Sequence, residues 1–315
     1  MDLKLVNIVI CFLISVFAVN AQNTFEIDTS YTINSAYKKY IKHYPNIKIA
    51  KPLLDENVID RSDIVYKELD YRNLHLDAIH HKDEELKPAV ILIHGGGWKS
   101  GNKSLMKPMA QKIASKGYAC FTVEYRLSLE AKYPAAIYDV KKAIQFIKSN
   151  AERFYVDSSR VAVLGCSAGG QIAALVGTTN NDTSFEDTND KCNVSSSVQA
   201  IIDLDGVLAF IHPKSAEGEV ASLWLGGNSK EKLETWKNAS ALTHTDENTP
   251  PILFICSKYE RFHAGRDDMI KILDKYNIYS QVETFQDGPH SFWLFHPWFN
   301  DTVEYITRFL DKTFK

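Results

Sequence analysis

The chain has 315 residues, with 36 basic and 39 acidic side chains and a formal net charge of -3. A hydrophobic fraction of 45% beside 24% charged residues fits an ordinary globular protein and excludes disorder as the main state. No basic excess exists to neutralise phosphates, so nucleic acid is not an expected partner, and five Cys in this length are too sparse for a disulfide scaffold.

Lys4 precedes an apolar run from Leu5 to Val19, broken only by Asn7 and Ser15, and Val19-Asn20-Ala21 places small residues at the -3 and -1 positions of a cleavage site. The run is short for a membrane span. Residues 1–21 therefore read as a cleavable signal peptide, with a secreted or periplasmic location and no membrane association after cleavage. Cys11 lies inside the apolar run, away from the cleavage point, which disfavours a lipoprotein anchor. Residues 22–60, polar and aromatic without a clear period, are expected to be a lead-in that wraps the domain. Residues 61–315 read as one domain.

Elements then follow in order. Ile64–Tyr71 and Leu74–Ile79 predict a hairpin turning at Arg72-Asn73. Ala89–Ile93 is a continuous apolar run of the buried parallel-strand kind, and Tyr118–Tyr125 is a further strand. Ile137, Val140, Ile144 and Ile147 recur at helical spacing after Pro134, predicting a helix over 135–149. Asp157-Ser158-Ser159 reads as a turn before the strand Arg160–Leu164, and Ala168–Val176 as a helix. Val198–Leu204, Ile252–Cys256 and Tyr279–Phe285 complete the strands, and an amphipathic helix starts near Phe299. Strands alternating with helical crossovers imply an α/β fold, a mostly parallel sheet with helices on both faces. Residues 206–248 interrupt the alternation and read as an insertion over the sheet. Cys120, Cys166, Cys192 and Cys256 are read as free thiols acting as small hydrophobes.

Gly165-Cys166-Ser167-Ala168-Gly169-Gly170 matches the G-x-S-x-G elbow directly between a buried strand and a helix. The strained turn demands small neighbours for Ser167, and the helix N-terminus favours developing negative charge. His94-Gly95-Gly96-Gly97-Trp98 follows another strand, and its glycine-rich backbone can aim N–H groups at one point. An oxyanion hole is assigned to Gly96 or Gly97 together with Ala168. A serine nucleophile needs a base and an orienting carboxylate, in the chain order serine, acid, histidine. His290, in Asp287-Gly288-Pro289-His290-Ser291-Phe292, stands between the last strand and the final helix and is the expected base. Glu260, the first carboxylate beyond the strand ending at Cys256, is the expected acid, with Asp267 and Asp268 as alternatives. Trp98, Trp224, Trp293 and Trp298 fall on loops near the expected mouth. Trp98, Trp224 and Trp293 are assigned to substrate binding because aromatic faces suit sugar rings, and ordinary packing is the competing reading.

Taken together, HGGGW, GxSAGG, Tyr125-Arg126-Leu127, Tyr133-Pro134-Ala135-Ala136 with Asp139, Val156-Asp157 with Arg160, and the Gly288–Phe292 loop resemble the α/β-hydrolase fold. Within it, they resemble the hormone-sensitive-lipase-like esterases and the feruloyl- and acetyl-esterase-like enzymes of polysaccharide-degrading bacteria. The resemblance spans roughly residues 60–313 and implies a serine carboxylic-ester hydrolase using no metal or organic cofactor. The family usually has Asp where Glu260 stands, and Asp139 and Asp157 are structural in such enzymes. The expected substrate is a decorated poly- or oligosaccharide losing acetyl, methyl or feruloyl groups. A broad-specificity short-chain carboxylesterase is the second reading, followed by a serine exopeptidase and an inactive binding protein. Near-neutral charge fits an ester taken up without electrostatic capture.

Overall fold

The computed structural model describes residues 25–53, 55–189 and 192–315. The segment read as a signal peptide lies outside the described residues. Eight strands build one sheet: β1 (Val58–Glu68), β2 (Asn73–His81), β3 (Lys87–Ile93), β4 (Ala119–Val123), β5 (Val156–Cys166), β6 (Ala200–Leu204), β7 (Ile252–Cys256) and β8 (Ser280–Thr284). Their spatial order is β1-β2-β4-β3-β5-β6-β7-β8. β1, β2 and β4 pair antiparallel, and every pairing from β4–β3 through to β7–β8 is parallel. The predicted α/β architecture is the one observed.

The sequence dictates this layering. Ala89 to Ile93, Val161 to Leu164 and Ile252 to Ile255 are essentially without solvent exposure, so both strand faces must be covered by helices. Burying each large aliphatic side chain contributes roughly 1.5–3 kcal/mol. One face carries α3 (Ala135–Ser149), α4 (Ala168–Thr178) and α7 (Arg266–Lys275). The other carries α1 (Ile33–Tyr40), α2 (Lys107–Ala114) and α8 (Trp298–Thr313). The interruption at 206–248 forms α5 (Gly218–Leu225) and α6 (Leu233–Asn238), joined to the first of these faces.

Two elements depart from the expectation. The Asp157-Ser158-Ser159 turn does not precede its strand but bulges within β5. Asp157 pairs with Pro88 and Val161 with Ala89, so the intervening residues leave the ladder. Asp157 Oδ1 accepts from the backbone and hydroxyl of Ser159, closing the bulge locally. The lead-in contains α1, started by a capping box in which Thr32 and Ser35 bond each other's backbone N–H. Cys120, Cys166 and Cys256 are buried free thiols and Cys192 is a half-buried one.

Two charge clusters fix the frame. Asp139, fully buried on α3, accepts from Arg126 Nε, Arg126 Nη2 and Lys67 Nζ. It also takes the Arg126 backbone N–H, so a carboxylate that could not be buried alone is satisfied on both oxygens. Asp77 likewise accepts from Lys103.

Candidate active site

β5 ends at Cys166 and α4 begins at Ala168, leaving Ser167 on the turn with φ 56° and ψ -121°. Two residues to either side of it, only glycine fits. A Cβ on Gly165 would stand 1.9 Å from the Gly169 carbonyl oxygen, and one on Gly169 would stand 2.2 Å from the Ile93 oxygen. The Ser167 N–H donates to the Leu204 carbonyl at 2.7 Å, tying the strained turn to the end of β6. Ser167 Oγ lies 2.9 Å from His290 Nε2. His290 Nδ1 lies 2.8 Å from a carboxylate oxygen, and that carboxylate is Asp205.

The expected acid is therefore corrected. Glu260 makes no bond to His290; its side chain is 78% exposed and its ion-pair partner is Lys214, 3.7 Å away. Asp267 pairs with Arg266, and Asp268 with Lys271 and His212, on the outside of α7. Asp205 follows β6, one strand before the loop that carries Glu260, with φ 53° and 2% exposure. A signal for it exists in the run Ile201-Ile202-Asp203-Leu204-Asp205-Gly206. Two carboxylates at the end of a wholly apolar strand are costly to bury and need a specific reason to be there.

The surroundings shift the two carboxyls in opposite directions. Burial pushes Asp205 up, but the donors His263, His290 and Ser257 outweigh it and hold the group at about 2. Oδ1 accepts the Ser257 N–H at 2.7 Å and lies 3.2 Å from His263 Nε2. Among the described residues, the Asp203 carboxyl accepts the Gly206 N–H alone, 2.8 Å away, and burial drives it well above the usual carboxylate range. Burial also lowers His290 below the ordinary imidazole value, opposed by Asp205. The imidazole is packed face to face on Phe262 (3.5 Å between centroids, 10° between planes) and edge-on to Trp293 (5.2 Å, 88°).

The glycine loop after β3 stands across from Ser167. Gly96 has φ 130° and Gly97 φ 61°. The Gly96 carbonyl accepts from the N–H groups of Lys99 and Ser100 and from the Ser100 hydroxyl. That carbonyl is thus engaged within the loop, while Gly96 and Gly97 line the cavity beside Ser167. A Cβ on Gly96 would meet the Ser100 oxygen at 2.0 Å. His94 anchors the loop from below: it stacks on Tyr125 (4.5 Å, 21°), its carbonyl accepts the Tyr125 hydroxyl, and burial pushes its pKa down to about 4. Ala168 opens α4 immediately after Ser167, which sets its N–H at the helix start.

The three tryptophans assigned to substrate binding are packing residues instead. Trp98 and Trp224 are 2% and 0% exposed and stack on each other at 5.1 Å, with Phe210 against both. Trp98 Nε1 donates to Gln171, fixing the glycine loop to α4. Trp293 is 3% exposed beneath His290. Burial of their large apolar area outweighs any surface role, and it is the lead-in that supplies the aromatic wall. Tyr31, Lys39 and Tyr40 face Ser167 and Val220 across a cavity of about 530 Å³. The Tyr31 hydroxyl lies 3.2 Å from Ser291 Oγ, Asp28 bridges to Ser100, and Lys99 pairs with Asp28 at 2.8 Å. These contacts strap the lead-in over the site.

A mostly parallel eight-stranded sheet, covered by helices and carrying a serine on a strand-to-helix turn, defines an α/β-hydrolase fold. The model of the BD-FAE family matches residues 76–272, and the chain belongs to that family. Esterase LipC of Mycobacterium tuberculosis is 29% identical over 62% of this chain and 49% of its own length. The chain spans about half the length of the curated relatives it matches over most of its own length. Among solved structures, a truncated form of carbohydrate esterase from gut microbiota is 22% identical, with a TM-score of 0.67 over 82% of this chain and 99% of that chain. A bifunctional GH43-CE protein of Bacteroides eggerthii is 24% identical, with a TM-score of 0.68 over 81% of this chain and 38% of that chain. At these identities the two structures share the fold.

Proposed function

We propose that this chain is a serine carboxylic-ester hydrolase acting on a decorated poly- or oligosaccharide. The observation that carries the reading is the unbroken chain Ser167 Oγ, His290, Asp205 facing a glycine-rich loop across one cavity. Ser167 attacks the ester carbonyl as His290 Nε2 takes its proton. Asp205, accepting the Nδ1–H, fixes the imidazole tautomer and stabilises the imidazolium. N–H groups of Gly96 or Gly97 and of Ala168 receive the oxyanion. His290 then protonates the leaving alcohol, and the same imidazole activates the water that releases the acid. Burial that lowers the His290 pKa keeps the base neutral near pH 7, which suits this role.

Similarity to an esterase and, in fold, to a carbohydrate esterase supports the class and the sugar-bearing substrate. The apolar run before Val19-Asn20-Ala21 supports export, where such polymers are met. A broad-specificity short-chain carboxylesterase is favoured instead by the cavity wall, since its aromatic residues are Tyr31 and Tyr40 and none of the tryptophans lines it. Incubation with acetylated, methylated and feruloylated polysaccharides, with p-nitrophenyl acetate as reference, separates these readings. Release of acid or alcohol from a polymer, lost in Ser167→Ala, is the expected result. Turnover of p-nitrophenyl acetate alone would leave the short-chain esterase, and activity undiminished in Ser167→Ala would overturn both.

A further inference from the structure

We propose that His263 is a positioning residue of the active site, a second imidazole on the acid that orients the first. The proposal rests on the ester-hydrolase reading for its kinetic consequence, and on geometry alone for the contact itself. Asp205 presents one oxygen to each histidine: Oδ2 to His290 Nδ1 at 2.8 Å and Oδ1 to His263 Nε2 at 3.2 Å. The Ser257 N–H completes Oδ1 at 2.7 Å. A fully buried carboxylate free to rotate about its last bond would offer His290 either oxygen at variable angle. Donors on the far oxygen remove that freedom and leave Oδ2 for His290.

Among the described residues, the hydrogen bond of the His263 ring is the one to Asp205. The His263 side chain is 9% exposed and turned inward from the short turn Glu260–His263, while Glu260 at the start of the same turn points to solvent. The next residue locks this arrangement, because the Ala264 carbonyl accepts the N–H groups of both Leu208 and Ala209, just downstream of Asp205. Gly265 follows with φ 90°, and a Cβ there would meet Ala209 Cβ at 2.8 Å. The neighbouring side chain acts on the other partner: Phe262 covers the face of His290. Two successive residues therefore hold the two members of the His–Asp pair.

The test uses the intact protein and three variants, His263→Ala, His263→Gln and His263→Phe. Gln keeps an N–H donor near the position of Nε2, and Phe keeps the ring volume without a donor. With p-nitrophenyl acetate, His263→Ala and His263→Phe are expected to lower kcat by roughly tenfold, the effect of losing one hydrogen bond to a charged group, with KM changed less than about twofold. His263→Gln is expected to recover most of kcat. The low-field proton NMR signal of His290 Nδ1–H, which needs no turnover, should move in Ala and Phe and return toward its place in Gln. Thermal melting of each variant reads folding separately. A kcat and a low-field signal unmoved in His263→Phe, or a Gln variant as impaired as Phe at equal stability, would overturn the proposal. A wild-type protein that hydrolyses no ester but whose signal responds as described would overturn the ester-hydrolase reading while upholding the positioning contact.

Discussion

At the scale of single residues, the chemistry turns on environments more than on identities. Asp203 and Asp205 are two positions apart, yet among the described residues one carboxyl receives a single N–H and the other three donors, so burial drives the first up while the donors hold the second at about 2. Such divergence is what the proposed role of Asp205 as the triad acid requires. Position after a strand points to Glu260, but the donors that make a carboxylate useful come from elsewhere in the chain and converge on Asp205. Ser167 and His290 were legible because each sits in a short motif whose physics is local. Asp205 has no such motif, only the oddity of an acid ending an apolar strand. A pH profile follows from the same environments. The base works when neutral, and His290 is lowered by burial despite Asp205. The acid limb of kcat/KM is therefore expected below the ordinary imidazole value of about 6.5. A limb above that value in a kcat/KM profile from pH 4 to 9 would mean that the carboxylate outweighs burial.

At the scale of elements, the strand ends and the loops they carry set the site. The HGGGW sequence predicts a backbone that aims N–H groups at one point and a Trp98 at the mouth; the fold shows close approaches that admit no Cβ at Gly96. Trp98 points away, stacked on Trp224 and bonded to Gln171, and so fastens the loop to α4. Aromatic residues on predicted loops give no indication of which side of the loop they occupy, and apolar area settles that toward the interior. The lead-in was legible only as non-periodic; its capping box at Thr32 and Ser35 is the local signal for α1. Gly96 offers the element-scale test. Its φ of 130° and the 2.0 Å approach of the Ser100 oxygen leave no room for a Cβ. Gly96→Ala should displace the loop, lower kcat by roughly 10²–10³-fold, the loss expected for one oxyanion donor, and lower the melting temperature as well, because the strained backbone must shift. Steady-state kinetics with p-nitrophenyl acetate checks this, and an unchanged kcat would remove Gly96 from the oxyanion assignment.

At the scale of the whole molecule, the sheet order brings together what the chain separates. Ser167 follows β5, Asp205 follows the adjacent β6, the Phe262–His263 turn follows the next strand, β7, and His290 follows β8. The strands and their parallel class could be read from buried apolar runs. Which strand end faces which loop depends on neighbour order and backbone curvature, and neither is encoded locally. Whole-molecule charge was also a poor guide to the cavity, whose wall carries Lys39 and Lys99 although the chain as a whole is at -3. The central claim is that Asp205, and not Glu260, is the acid of the triad. Measuring kcat for p-nitrophenyl acetate in Asp205→Asn and Glu260→Gln tests it most directly. Asp205→Asn should fall by about 10²–10⁴-fold, since the amide cannot hold the productive tautomer. Glu260→Gln should stay within about twofold, as expected for an exposed ion pair. A large loss in Glu260→Gln with Asp205→Asn near wild type would contradict the account.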